Sequence, residues 1–102
     1  MLPALQINYD QLAELCRRYR VTKLELFGSR AKGTARADSD VDLLVTFKDD
    51  RTPGLRFVVM ADELVDLFGH PVDLLVRETV EHDENPIRRR SILDRTETIY
   101  AA

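Results

Sequence analysis

Cysteine is scarce in this chain. Cys16 is the single thiol among 102 residues, which excludes an internal disulfide and suits a reducing cytosol. Neither a secretory leader nor an apolar run of roughly 18 residues is present, so the expectation is a cytoplasmic protein with no membrane segment. A basic excess is missing too. Fifteen Lys and Arg stand against 18 Asp and Glu, a formal net charge of -3, which argues against bulk binding to nucleic acid. Low-complexity tracts and internal repeats are absent, and the composition is 44% hydrophobic and 32% charged, so nothing points to disorder. The length suits one domain, residues 1–102, with one small core, and therefore a site on a single-layer scaffold.

The chemistry gathers between Phe27 and Val45. Lys23 to Phe27 alternates polar and apolar residues as a strand does, and the pattern breaks at Gly28-Ser29 before the helix-friendly Arg30-Ala31-Lys32. A glycine there lets backbone approach a ligand closely. A serine opening a short helix caps it, and its free N–H groups offer an anion site. Arg30 and Lys32 add positive charge to the same neighbourhood. Farther on, Asp40 and Asp42 lie two apart at the start of an apolar run, Val41 to Phe47. On a strand both carboxylates would project from one face about 7 Å apart along the chain. Such a pair suits a hard cation. Mg²⁺ favours one or two carboxylates together with substrate phosphate oxygens, which the Gly28-Ser29 turn would deliver.

Taken together, Gly28-Ser29-x-Ala31-x-Gly33 and Ser39-Asp40-x-Asp42-Leu43-x-Val45 resemble the signature of the nucleotidyltransferase superfamily that includes DNA polymerase beta, and most closely its minimal (MNT) members. The resemblance implies an α/β (α+β) fold, a small mixed β-sheet with helices packed on it. It implies transfer of a nucleoside monophosphate from an NTP, with ATP as donor and two Mg²⁺ held by Asp40, Asp42 and Asp73. Gly28, Ser29 and Arg30 would contact the nucleotide. Minimal members typically act as antitoxins beside HEPN-domain RNase toxins, AMPylating a toxin tyrosine, so the implied partner is a HEPN protein in a hetero-oligomer. Two other readings stay open: transfer to a small molecule or RNA end, and a non-catalytic antitoxin that neutralises by binding alone.

The remaining segments read as scaffold. Asn8 with Gln11 resembles a capping box, and Leu12, Leu15, Cys16 and Tyr19 then recur at helical spacing, which makes Cys16 a small core residue. Arg36, in the loop of residues 33–38, is within conceivable reach of a nucleotide but equally reads as a solvated loop residue. Thr52-Pro53 reads as cap and first turn of a second helix that Gly69 ends. Its apolar stripe, Leu55, Val58, Val59, Leu64, Val65, Leu67 and Phe68, is expected on the sheet, any surplus being free for a partner. Pro71 opens a strand, Val72 to Val76, interrupted by Asp73. A lone carboxylate in such a run is costly unless paired or metal-bound. Beside Val41 to Phe47, at about 4.8 Å, it would complete a triad with Asp40 and Asp42. Residues 77–84 read as a polar linker in which His82 has no role. Asn85-Pro86 opens a short helix carrying Arg88, Arg89 and Arg90, and Thr98 to Tyr100 reads as an edge strand.

Overall fold

A computed structural model describes residues 7–33, 40–48 and 54–102. Helix α1 (Tyr9–Arg18) starts where the Asn8 side chain accepts the Gln11 N–H. After it come β1 (Val21–Phe27), the short α2 (Gly28–Lys32), β2 (Val41–Phe47), α3 (Leu55–Phe68) and β3 (Val72–Val76). Helices α4 (Arg77–Glu81) and α5 (Pro86–Leu93) and strand β4 (Glu97–Ala101) complete the order. The strands form one sheet in the order β3-β2-β1-β4. Strand β1 pairs antiparallel with β2 and β4, whereas β2 and β3 run parallel. A parallel pair needs a crossover, and α3 is that connection.

Period-two alternation sends the two sides of each strand to different cores. Leu24 and Leu26 of β1, Val41, Leu43 and Val45 of β2 and Leu74 of β3 join Leu12, Leu15 and Cys16 of α1 and Met60, Leu64 and Phe68 of α3. Burial pushes the Cys16 thiol up to about 12, so it is an inert core group as its spacing suggests. On the opposite side Phe27, Leu44 and Val80 pack with Leu75, Ile92 and Leu93. Helices therefore cover both faces, and the single-layer scaffold expected from length is corrected to a sheet between two helical layers.

Boundaries and one burial pattern differ from the sequence reading; α3 begins at Leu55 and β4 extends over Glu97–Ala101. The first strand begins at Val21, which is buried, because the sheet recruits it as a core residue. Residues 77–81, read as linker, form α4; Val80 is its buried anchor amid charged neighbours. The stripe on α3 is narrower than its sequence suggests. Met60, Leu64 and Phe68 are buried while Leu55, Val58 and Val59 stay exposed, since one helix turns only part of its circumference to a sheet. Gly69 closes α3 in the left-handed conformation as expected. Asn85 caps α5 by accepting the N–H groups of Ile87 and Arg88, with Pro86 in the first turn. Thr52 and Pro53 lie outside the described residues.

Candidate active site

The end of β1 meets the start of β2 where chain direction turns into α2. Phe27 is the register partner of Asp42, and the next residue, Gly28, adopts φ +69°. A Cβ placed on Gly28 would lie 2.3 Å from Asp42 Oδ2. Two independent constraints thus converge on glycine here: the left-handed backbone and the absence of room for a methyl group. The turn packs directly on the carboxylate, joining the two halves of the motif in space.

Across the sheet Asp42 is the register partner of Asp73. Residues opposite one another in neighbouring strands point to the same face, and Leu44 and Leu75, each two residues on, share the α4/α5 core. Both aspartates therefore rise from that side, at the open end of the sheet. Asp40 has the same parity two residues before Asp42 and is exposed, as is Asp73, whereas Asp42 is half-buried. Burial first, then the nearby negative charges of Asp73 and Asp40, raises the Asp42 pKa above 3.8, and Arg30 opposes the rise. These are the signs of a carboxylate cluster that holds more negative charge than its own cations balance.

Such a cluster fits a hard divalent cation with phosphate oxygens. Among the described residues no three carboxylate, imidazole or thiol side chains, Asp40, Asp42 and Asp73 included, stand close enough together to hold a metal ion by themselves. Mg²⁺ commonly takes one or two protein carboxylates and completes its shell with water and substrate, and Asp42 with its two acidic neighbours provides that donor chemistry. The Gly28 backbone, pressed against Asp42, is where a phosphate tail would approach.

The residues singled out from sequence are only partly described. Gly28, Arg30, Asp40, Asp42 and Asp73 come together at this end of the sheet. Ser29 lies in α2, while its side chain, that of Lys32, and the whole of Arg36 and Ser39 lie outside the described residues. Sequence reasoning missed Glu25. It is 2% exposed, shares the face of Phe27, and accepts two hydrogen bonds from Arg77 Nη1 at 2.9 and 3.0 Å. The Thr96 hydroxyl donates to it at 2.8 Å, and Lys23 Nζ lies 3.7 Å away. The signal was available in principle: Glu25 alternates in phase with Phe27, a residue too large and apolar for a solvent face.

Known proteins resemble this chain in sequence and in fold. The family model described as a nucleotidyltransferase domain matches residues 10–99. The protein adenylyltransferase MntA of Thermococcus cleftensis is 38% identical over 69 residues, which are 67% of this chain and 68% of that protein. Among solved structures, a chain of a toxin-antitoxin crystal structure with AMP-PNP superposes with TM-score 0.68 at 20% identity, covering 94% of this chain and 75% of its own. A chain of the complex between a tri-AMPylated Shewanella oneidensis HEPN toxin and an MNT antitoxin gives TM-score 0.60 at 18% identity, covering 93% and 71%. The aspartates in register on β2 and β3, the glycine turn against them and the match along residues 10–99 converge on one assignment: this chain belongs to the nucleotidyltransferase domain family.

Proposed function

We propose that the chain is a protein adenylyltransferase that moves AMP from ATP to a hydroxyl, that of a tyrosine, on a partner HEPN toxin, and so acts as an antitoxin. The observation that carries this reading is the adjacency of Asp42 to Asp73 with the Gly28 backbone packed on Asp42. Three further points support it. The relative named MntA is itself a protein adenylyltransferase. Structures of the same fold come from toxin-antitoxin complexes, one with AMP-PNP and one with an AMPylated HEPN toxin. Asp40 and Asp73 are exposed, so the site opens at the surface, where a side chain carried by another protein can enter.

In this mechanism the backbone at Gly28-Ser29 and the Ser29 hydroxyl hold the β- and γ-phosphates, and Arg30 balances their charge. Asp40, Asp42 and Asp73 would hold Mg²⁺, which, when bound, neutralises charge on the α-phosphate and the departing pyrophosphate. Asp73, the more exposed carboxylate of the registered pair, accepts the proton of the incoming hydroxyl as its oxygen attacks the α-phosphorus in line. Pyrophosphate leaves opposite, and AMP stays on the acceptor as a phosphodiester. No covalent intermediate on this chain is required, so the work of the protein is positioning and charge balance.

Intact-mass spectrometry tests the reading directly. The partner encoded by the neighbouring gene is co-expressed with the wild type or with the Asp40→Asn/Asp42→Asn variant. A mass gain of one or more AMP units with the wild type alone is the expected result. An unmodified partner that still forms the complex with both proteins would instead establish neutralisation by binding alone.

A further inference from the structure

Glu25 and Arg77 stand one row behind the candidate carboxylates. The register runs Phe27–Asp42–Asp73 across three strands, and the next row on that face is Glu25–Leu44–Leu75. Arg77 follows at the same parity as Asp73 and Leu75, where β3 passes into α4. Because β2 lies between β1 and β3, the Arg77–Glu25 contact at 2.9 Å bridges the full width of the central strand. Thr96, just before β4, ties a third segment to the same carboxylate.

This arrangement is an odd way to gain stability. Glu25 is fully enclosed and the Arg77 side chain is only 26% exposed, and removing such a pair from water costs as much as its attraction returns. A mechanical role explains it better. Strand β3 has one strand neighbour in the sheet, held by a parallel ladder that is the weaker kind per residue. At its entrance Asp73 faces Asp42 across the parallel ladder. Arg77, at the strand's exit, is fastened instead to β1, the strand whose end carries Gly28.

We infer that the Glu25–Arg77 pair is a positioning device that sets the spacing of Asp73 from Asp42 and Gly28 by clamping β3 to β1 across β2. The inference rests on the proposed function, in which those carboxylates hold the metal and meet the acceptor. Removing the clamp lets β3 relax outward, so metal affinity and turnover fall while the nucleotide, gripped from the Gly28 side, still binds.

The experiment uses the full chain with its partner and pairs the apolar double variant Glu25→Leu/Arg77→Met with the single variant Glu25→Gln. The double variant removes both charges of the pair at once, and Lys23 and Glu81, which also approach it, remain in contact with water; the glutamine loses the charge and keeps a single accepting oxygen. Four quantities are read: melting temperature, Mn²⁺ affinity by electron paramagnetic resonance, and the kcat and KM for ATP of AMP transfer. The expected result is a folded double variant with Mn²⁺ affinity and kcat both down by about tenfold to a hundredfold and KM for ATP unchanged, Glu25→Gln lying between it and the wild type. Wild-type Mn²⁺ affinity and kcat in a folded double variant would overturn the clamp. If the double variant does not fold, Glu25→Gln decides alone, and wild-type values in it overturn the proposal. Asp42→Asn run in parallel separates the two levels: unchanged Mn²⁺ affinity and transfer in that variant would remove the site assignment itself.

Discussion

At the scale of single residues, Gly28 and Asp42 constrain each other. Alanine at position 28 would keep a left-handed backbone at a cost of about 1–2 kcal/mol and would thrust a methyl group into Asp42 Oδ2. We expect Gly28→Ala to fold, to melt a few degrees lower, and to transfer AMP at least about a hundredfold more slowly, as read by calorimetry and single-turnover kinetics. Asp42→Asn should behave in the opposite way toward stability. The Asp42 pKa is raised on folding, by burial and then by Asp73 and Asp40, so the folded state favours the protonated form. Its contribution is then fully present below 3.8 and is lost as pH rises through the higher folded value. Near neutrality the ionised group costs stability, and the asparagine variant should melt above the wild type without metal, a gap that closes as pH falls toward 3.8. A lower melting point for Asp42→Asn at neutral pH would show that Arg30 outweighs the acidic neighbours. Transfer should be lost in either case.

Among the elements, α5 depends most on its cap. None of its residues is fully buried, Ile92 and Leu93 reaching the Phe27/Leu44/Val80 core only in part, and the Asn85 side chain serves two N–H groups of the first turn. Asn85→Ala should cost about 1 kcal/mol and speed amide exchange through α5 while α1 and the sheet keep their protection; uniform loss of protection would contradict that view. This helix was legible from Asn85-Pro86 because a cap followed by proline is a local signal. So were β2 and β3, whose apolar runs each carry an aspartate, and the turn at Gly28. What the sequence concealed was non-local. The burial of Glu25 follows from Arg77 and Thr96, which lie far along the chain, and α4 is anchored through Val80 on a face made by Phe27 and Leu44. Likewise, Leu55, Val58 and Val59 continue an apolar pattern that stops being buried, because they lie off the face of α3 that Phe57, Met60, Leu64 and Phe68 turn to the sheet. Asp73 lies between these cases: its place beside Asp42 was readable on condition that the two strands are neighbours, and the parallel register meets that condition.

For the whole molecule, ligand binding and stability are linked. Mg²⁺ and a non-hydrolysable ATP analogue at about a hundredfold excess over Kd should stabilise the fold by about 2.7 kcal/mol, a rise in Tm of roughly 10 °C for a domain of this size. Asp40→Asn/Asp42→Asn should show little of that shift in thermal melts, and an equal shift would mean that the nucleotide binds elsewhere. The parallel pairing of β2 with β3 has a consequence for the making of the protein. Asp42 and Asp73 are neighbours only through the α3 crossover, and a slip of β3 by one residue would turn Asp73 toward the α1/α3 core. On the proposed mechanism, a nascent chain that has formed the Gly28 turn and β2 still lacks one of its three carboxylates and should be silent. Its activity begins in one step, when the crossover has folded and β3 has found its register.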